Sequence, residues 1–355
     1  MLRKLCLALT ATVSLVHIAQ AQDSTAAAPK LSFSGSVDGY YRFNFDNTKN
    51  GGTGFNSLTS FTNSQNSFEL GMASLKAAYA TDKAGAVLDL GFGTRAEEFN
   101  YADNNTLMAL KQAYVYYKPS ENVTLTLGKW ATHVGYELVD PQLNRNYSMS
   151  YMFTYGPFTH TGIKADFALG NGNGLMVGVA NPTDVTSPKW VATKAANAQF
   201  SHVGDKFSVF VNYTGYFGAK NLNPTASAVN QFGVTATGKL ADKFSIGYDG
   251  TIQLLKNEIT DESNKWWGSA LYFNFDPTEK VGLTLRGEYF ADEDDAIKVG
   301  ANVFDVTLSL QYKVGGFILM PELRYDNAST PVFSKNDGTA KKNTATALLA
   351  AIYSF

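Results

Sequence analysis

Val281 to Tyr289 reads VGLTLRGEY, with Val281, Leu283, Leu285 and Tyr289 on one side of an extended chain and Thr284, Arg286 and Glu288 on the other. Successive side chains of a β-strand point to opposite faces, so this segment has one apolar face and one charged face. The same alternation recurs along the chain and stops on a segment ending Ile352, Tyr353, Ser354, Phe355. Such strands, separated by turns, are the pattern of an all-β transmembrane antiparallel up-and-down barrel, in which lipid face and lumen face trade places at each residue.

Composition decides which solvent the apolar faces meet. At 355 residues the chain exceeds a usual single soluble domain, yet no linker or composition shift divides it. One large closed sheet accounts for that. Arg3 and Lys4, the apolar run Leu5 to Ile18 and then Ala19-Gln20-Ala21 give residues 1–21 the layout of a secretory signal peptide. Residues 22–30 then form a short flexible periplasmic lead, and 31–355 the barrel. The single cysteine, Cys6, falls inside the signal, so no disulfide framework is expected after export. Arg3 and Lys4 are two of 29 basic residues, so removing the signal leaves 27 against 31 acidic ones, a formal net charge of −4. That balance gives no footprint for a nucleic-acid partner. Beyond the signal no apolar run reaches the roughly 18 residues of a helical span.

The first strand is expected at about 31–46, with Phe33, Val37, Tyr41, Phe43 and Phe45 alternating with Ser34, Ser36, Asp38, Arg42 and Asn44. Others fall at about 67–80, 85–95, 109–119, 122–131, 158–170, 173–181, 193–202, 205–217, 229–238, 243–255, 266–276, 279–291, 302–313, 316–327 and 343–355. The total, about sixteen, is even, as a bacterial barrel with both termini in the periplasm requires. Two segments carry the pattern weakly. Leu75 and Ala77 fall out of phase with Phe68, Leu70 and Met72, and the segment from Lys194 is mostly Ala and Asn. Short turns rich in Gly, Asn, Asp or Pro alternate with long loops at about 47–66, 96–108, 132–157, 182–192, 218–228, 256–265, 292–301 and 328–342. Outer-membrane barrels have this asymmetry, and a soluble sheet has no reason for it. Tyrosines and tryptophans near the strand ends suit the membrane interface. The terminal Phe355, with Tyr353 on the same face, suits the signal read by the barrel-assembly machinery.

Charges inside amphipathic strands mark the lumen. Asp38, Arg42, Asp89, Arg95, Arg286, Glu288, Glu322, Arg324 and Asp326 all face inward on these phases. An Arg or Lys facing lipid near the midplane would cost about 2 to 4 kcal/mol, so the interior is polar. A polar lumen of about sixteen strands leaves an aqueous channel unless something plugs it. These charges either line that channel or pair across neighbouring strands and stiffen the wall. The pattern breaks in the third long loop, THVGYELVDPQLNRNYSMSYMFTYG from Thr132, which is too apolar and aromatic to wave in solvent. It is expected to fold into the lumen and narrow it, with Glu137, Asp140 and Arg145 facing the pore; the alternative is an external Ω-loop packed on its own tyrosines. After the signal the histidines are His133, His160 and His202. His133 and His160 flank the third loop and could approach each other, but no nucleophile motif, metal-ligand cluster or phosphate loop accompanies them, so no cofactor or metal is expected.

Several stretches carry a family resemblance: GSVDGYYRFNF from Gly35, GKWATHVGYELVD from Gly128, NYSMSYMF from Asn146, PFTHTGIKADF from Pro157, LRGEYFADEDD from Leu285 and PELRYDNAS from Pro321. In order and spacing they resemble the OmpL-like β-barrel porin family of Bacteroidetes-type Gram-negative bacteria, over essentially the whole chain after the signal. The resemblance implies an outer-membrane porin of unassigned solute, and the family supplies no established catalytic residues. Three functions follow as expectations: a passive channel for small polar solutes, an outer-membrane hydrolase using a histidine near the third loop, or a closed structural or adhesive barrel. Expected partners are outer-membrane lipids, the assembly machinery, small polar solutes and a homo-oligomer.

Overall fold

A computed structural model describes residues 30–48, 55–188, 193–217, 227–257, 261–292 and 294–355. The signal peptide and the lead as far as residue 29 lie outside the described residues, as do most of the loop at 218–228 and residues 258–260 of the next.

Sixteen strands close into one antiparallel barrel. In chain order they are β1 (Lys30–Asn44), β2 (Ser67–Ala80), β3 (Ala84–Phe92), β4 (Leu110–Ser120), β5 (Val123–Ala131), β6 (Thr159–Gly170), β7 (Asn173–Ala180) and β8 (Lys194–Val203). There follow β9 (Phe207–Phe217), β10 (Ser227–Ala241), β11 (Phe244–Asn257), β12 (Ser263–Thr278), β13 (Val281–Ala291), β14 (Val303–Val314), β15 (Phe317–Ala328) and, after a two-stranded hairpin β16 (Phe333–Ser334) and β17 (Ala340–Lys341), β18 (Asn343–Ser354). Closure joins the first strand to the last: Gly35 and Phe355 exchange backbone hydrogen bonds of 3.1 and 3.0 Å. A closed barrel leaves no strand edge unpaired, which is what a bilayer demands of a sheet.

Along β13, Leu285 and Tyr289 are exposed while Thr284, Arg286 and Glu288 are buried. Phe304 and Leu308 on β14 and Leu323 and Tyr325 on β15 continue the outward apolar face. These exposed side chains meet lipid. Among the aromatics near strand ends, Tyr289, Tyr325 and Tyr353 are exposed on the outer face, and Tyr40, Tyr116 and Trp266 are buried on the inner face.

The broken phase of β2 has a local cause. Pairing with β1 slips between Asp38 and Gly39, whose partners are Met72 and Leu70, so Gly71 bulges and the outward set passes from Phe68 and Leu70 to Leu75. A Cβ at Gly71 would lie 1.9 Å from the Asp38 carboxylate, which occupies the space the glycine leaves. The weak segment from Lys194 is a strand, with Asn197 turned inward and Phe200 outward.

One expectation for this region is corrected. The third strand stops at Phe92, and Thr94–Phe99 forms a short helix, α1. Arg95 therefore sits on a helix in the second long loop and not on a strand. A second helix, α2 (Tyr151–Tyr155), begins on the Ser150 side chain, which accepts a hydrogen bond from the Phe153 N–H.

Candidate functional site

The loop leaving β5 at Thr132 enters the barrel and crosses it before rejoining the wall at β6. Its second half is held by carboxylates that accept main-chain N–H groups. Glu322 takes Tyr147 and Ser148, Glu288 takes Tyr151 and Met152 at 2.8 Å each, and Glu137 takes Ser150 at 2.7 Å. Side chains add to this. The Tyr147 hydroxyl donates to Asp38, the Tyr151 hydroxyl to Asp326, and Asn146 to Ser309. At its deepest point Arg145 meets Asp276 at 2.8 Å and Thr284 at 3.0 Å, close to the short turn after β12. Charge-assisted bonds to buried N–H groups are among the strongest a protein makes, so this half of the loop is fixed to the wall.

Arginines tie the same carboxylates together. Arg286 bridges Glu137 of the loop (2.7 Å) and Asp305 of β14 (3.2 Å). Arg324 bridges Asp305 and Asp326, each at 2.8 Å. The two guanidinium groups also donate to the carbonyls of Ser148 and Met149. Arg42 performs the equivalent task for the first long loop, donating to the carbonyls of Phe55, Asn56 and Ser64. Arg95 donates to the Val139 and Tyr147 carbonyls and lies over the Tyr147 ring.

Asp38, Arg42, Arg95, Arg286, Glu288, Glu322, Arg324 and Asp326 are all buried, with Arg95, Arg286 and Glu288 at 0% exposure. They face the interior but are covered by inserted loops, and their partners are loop backbone, loop hydroxyls such as those of Tyr147 and Tyr151, neighbouring strand groups such as Asp305 and the Met72 N–H, and one another. Of the two arrangements expected for them, lining a channel or pairing across neighbouring strands, the contacts here are of the second kind, as in Arg286 and Arg324 with Asp305, extended to the inserted loops. A charge taken from water needs partners on every side, and the loops supply them.

Open space lies on the opposite side of the lumen. A cavity of about 450 Å³ runs from the Phe355 end of the barrel, beside Ser34 and Gly35, up to an apolar ceiling of Phe99, Val139, Phe153 and Phe158. Of the expected residues, Asp89, Glu137 and Asp140 line it. Arg145 faces the interior on the far side of the loop. Lys76, Lys111 and Lys164 line the cavity too and were not singled out from the sequence. Lys111 sits between Asp89 (3.2 Å) and Asp140 (2.5 Å) at a register shift in β4, so simple alternation does not reveal its direction. Asp305 was also missed, although Asp305, Thr307 and Ser309 alternate with Phe304 and Leu308 and give the needed signal.

At the outer rim Asp184 accepts the N–H groups of Phe158 and Thr159, both at 2.7 Å, and the Tyr101 hydroxyl at 3.2 Å. Burial pushes its carboxyl up to about 6, against the pull of those N–H groups. Glu98 holds Phe61 N–H and Asn63 in the same way, and burial raises it as well. The two histidines do come together, ring centres 5.0 Å apart. Each is bonded to a neutral group: His133 to the Tyr213 carbonyl and His160 to the Thr132 hydroxyl. Among the described residues no group of three or more potential metal ligands is found.

A family model described as "Putative beta-barrel porin-2, OmpL-like" matches residues 30–355. The outer membrane channel DcaP of Acinetobacter baumannii superposes with a TM-score of 0.61 at 14% identity, over 93% of this chain and 98% of that one. An anion-selective porin from Comamonas acidovorans gives 0.62 at 9% identity, over 92% and 100%. In-vitro folded OmpT of Vibrio cholerae, in its trimer form, gives 0.61 at 13% identity, over 92% and 100%. At these identities the likeness is one of fold. No curated protein matches the chain. The closed sixteen-strand barrel, its lipid-facing belt and a family match running from the first strand to the last residue place the chain in the Gram-negative outer membrane as a member of the OmpL-like β-barrel porin family.

Proposed function

We propose that this porin is a passive diffusion channel for small polar solutes whose route follows the β1 to β6 side of the lumen. The observation that carries this is the cavity of about 450 Å³ lined by Lys76, Lys111, Lys164, Asp89, Glu137 and Asp140. Charged and polar side chains line it below the apolar ceiling, and it is large enough for a hydrated small solute. Lys111 balances Asp89 and Asp140, and Glu137 is balanced by Arg286, so the lining carries both signs and strong ion selectivity does not follow. Arg42, Arg286, Glu288, Glu322, Arg324 and Asp326 act at one remove, by holding the loops that set the width. His133 and His160 serve as neutral hydrogen-bonding residues at the root of the third loop, with no catalytic part.

Planar-bilayer recording with asymmetric salt tests the reading. Discrete conductance steps with a weak reversal potential are expected, with larger steps after deletion of residues 136–150. Purified, heat-modifiable barrel that gives neither conductance nor liposome swelling would refute it.

A further inference from the structure

The inner face of β8 to β11 differs from the rest of the lumen. Asn197, Gln199, Asn212, Thr214, Gln231 and Gln253 dominate it, and Asp249 is the charged residue among the inward positions described on these strands. Several of its polar atoms are buried without a partner: Asn197 Nδ2, Asn212 Nδ2, Gln231 Nε2 and Asp249 Oδ1. Trp130 Nε1 and His160 Nδ1 on β5 and β6, beyond β7, are in the same state, while among the described residues no such wall atom occurs on β12 to β15, β18 or β1. Buried polar groups are ordinarily bonded, so a run of unbonded donors and acceptors on one wall marks a place built to meet something else.

A short strap covers this wall. His133 to Tyr136 crosses it between two fixed ends, Thr132, whose N–H bonds the Phe158 carbonyl, and Glu137, held by Arg286. Hydrogen bonds join the strap to the wall, among them His133 to the Tyr213 carbonyl, Gln199 to the His133 carbonyl, and Tyr136 N–H to Asp249, and the Tyr136 ring stacks on Tyr272 of β12 at 4.2 Å. Gly135, at φ 95°, gives it a conformation that other residues rarely adopt and a point about which to bend. At its root, Thr132 and Trp130 already line the open cavity, so lifting the strap would extend that space toward β8 to β11.

We propose that the β8 to β11 wall is a binding track for a neutral, polyhydroxylated solute of the sugar class, uncovered when the His133 to Tyr136 strap lifts. Hydroxyl groups both donate and accept, so they satisfy amide N–H groups and a carboxylate oxygen one for one, whereas an anion would leave water without a counter-charge on this face and a cation would leave the amide N–H groups unmet. The proposal rests on the channel reading and names a solute class and a second wall for it.

The test pins the strap. A Cβ at Gly233 would lie 3.5 Å from Val134 Cγ1, and the chain beyond its signal has no cysteine, so Val134→Cys with Gly233→Cys gives a clean disulfide across strap and wall. Purified protein in liposomes is assayed for L-arabinose swelling and, in bilayers, for potassium chloride conductance, oxidised and reduced. The expected result is arabinose flux that is lost on oxidation and returns on reduction, while salt conductance persists. Equal arabinose flux in both states overturns the proposal, as does a reduced protein that conducts salt and excludes arabinose. A reduced protein passing neither overturns the channel reading and the proposal together. Should the double variant fail to fold, Asn197→Leu with Asn212→Leu is read as the ratio of arabinose flux to salt conductance: a fall supports the track, and an unchanged ratio overturns it.

Discussion

Two walls of the same lumen hold the third loop by different means. Against β13 to β15 and β1, the segment Arg145 to Met152 is bonded by Glu288, Glu322, Asp38 and Asp326, and two arginines close the charge lattice from behind. Against β8 to β11, the segment His133 to Tyr136 is held by hydrogen bonds to the Tyr213 carbonyl, Gln199 and Asp249, and it covers wall atoms that have no partner. The difference is one of chemistry: charge-assisted bonds to main-chain N–H groups on one side, a few neutral or singly charged hydrogen bonds and a ring stack on the other, and the proposed lifting of the strap would act where the charged bonds are fewest.

The comparison breaks first at Arg286. In Arg286→Met, Glu137 and Asp305 remain buried with a principal partner gone, and a loss of about 3 to 5 kcal/mol is expected, read as a lower midpoint of heat-modifiability, together with larger conductance steps as the loop leaves the wall. A variant with unchanged midpoint and conductance would mean that the lattice does not hold the loop. Next comes the rim at β6, close to the strap. Asp184 has its folded value raised from 3.8 to about 6, so its protonated form is favoured on folding. The resulting stability is full below about pH 4 and is lost as pH rises through 6, amounting to about 3 kcal/mol at most. Unfolding midpoints should therefore fall over that window in the wild type and fall less in Asp184→Asn, where Glu98 is left as the raised rim carboxyl. Parallel pH profiles for the two proteins would remove the assignment.

Glu288→Gln keeps shape and loses the charge on an acceptor of two N–H groups, so a smaller loss of about 1.5 to 3 kcal/mol is expected, visible as faster amide exchange at Tyr151 and Met152. On the other wall Asn212→Ala removes an acceptor for Gln199 and an unbonded donor at once, and about 0.5 to 1.5 kcal/mol is the expected cost. If Asn212→Ala proved as damaging as Glu288→Gln, the two walls would not differ in the way described.

The barrel was legible because its code is local. Phe33, Val37 and Leu285 meet lipid while Ser36, Asp38 and Arg286 do not, and a period of two records that at every strand. The places where the code misled are those where the backbone departs from even pairing. At Gly71 a bulge shifts the phase of β2, at Lys111 a register shift hides an inward lysine, and at Phe92 the chain turns into α1 and carries Arg95 off the strand.

By itself the sequence determined that the chain is a closed barrel and which side chains of each strand turn inward, and it set the third loop from Thr132 apart as an inward constriction or an external Ω-loop, a choice the tertiary structure made. It could not say that Glu322 and Glu288 would each hold two main-chain N–H groups, that Arg286 would join Glu137 to Asp305, or that the open space would lie beside Lys111 and Asp89. Strand alternation is set by neighbours along the chain and by the solvent on each face. The partners of an inward charge are set by which strands close opposite one another and by the path of a loop through the space between them, and contacts such as Arg286 to Glu137 and Glu322 to Tyr147 join residues more than a hundred positions apart.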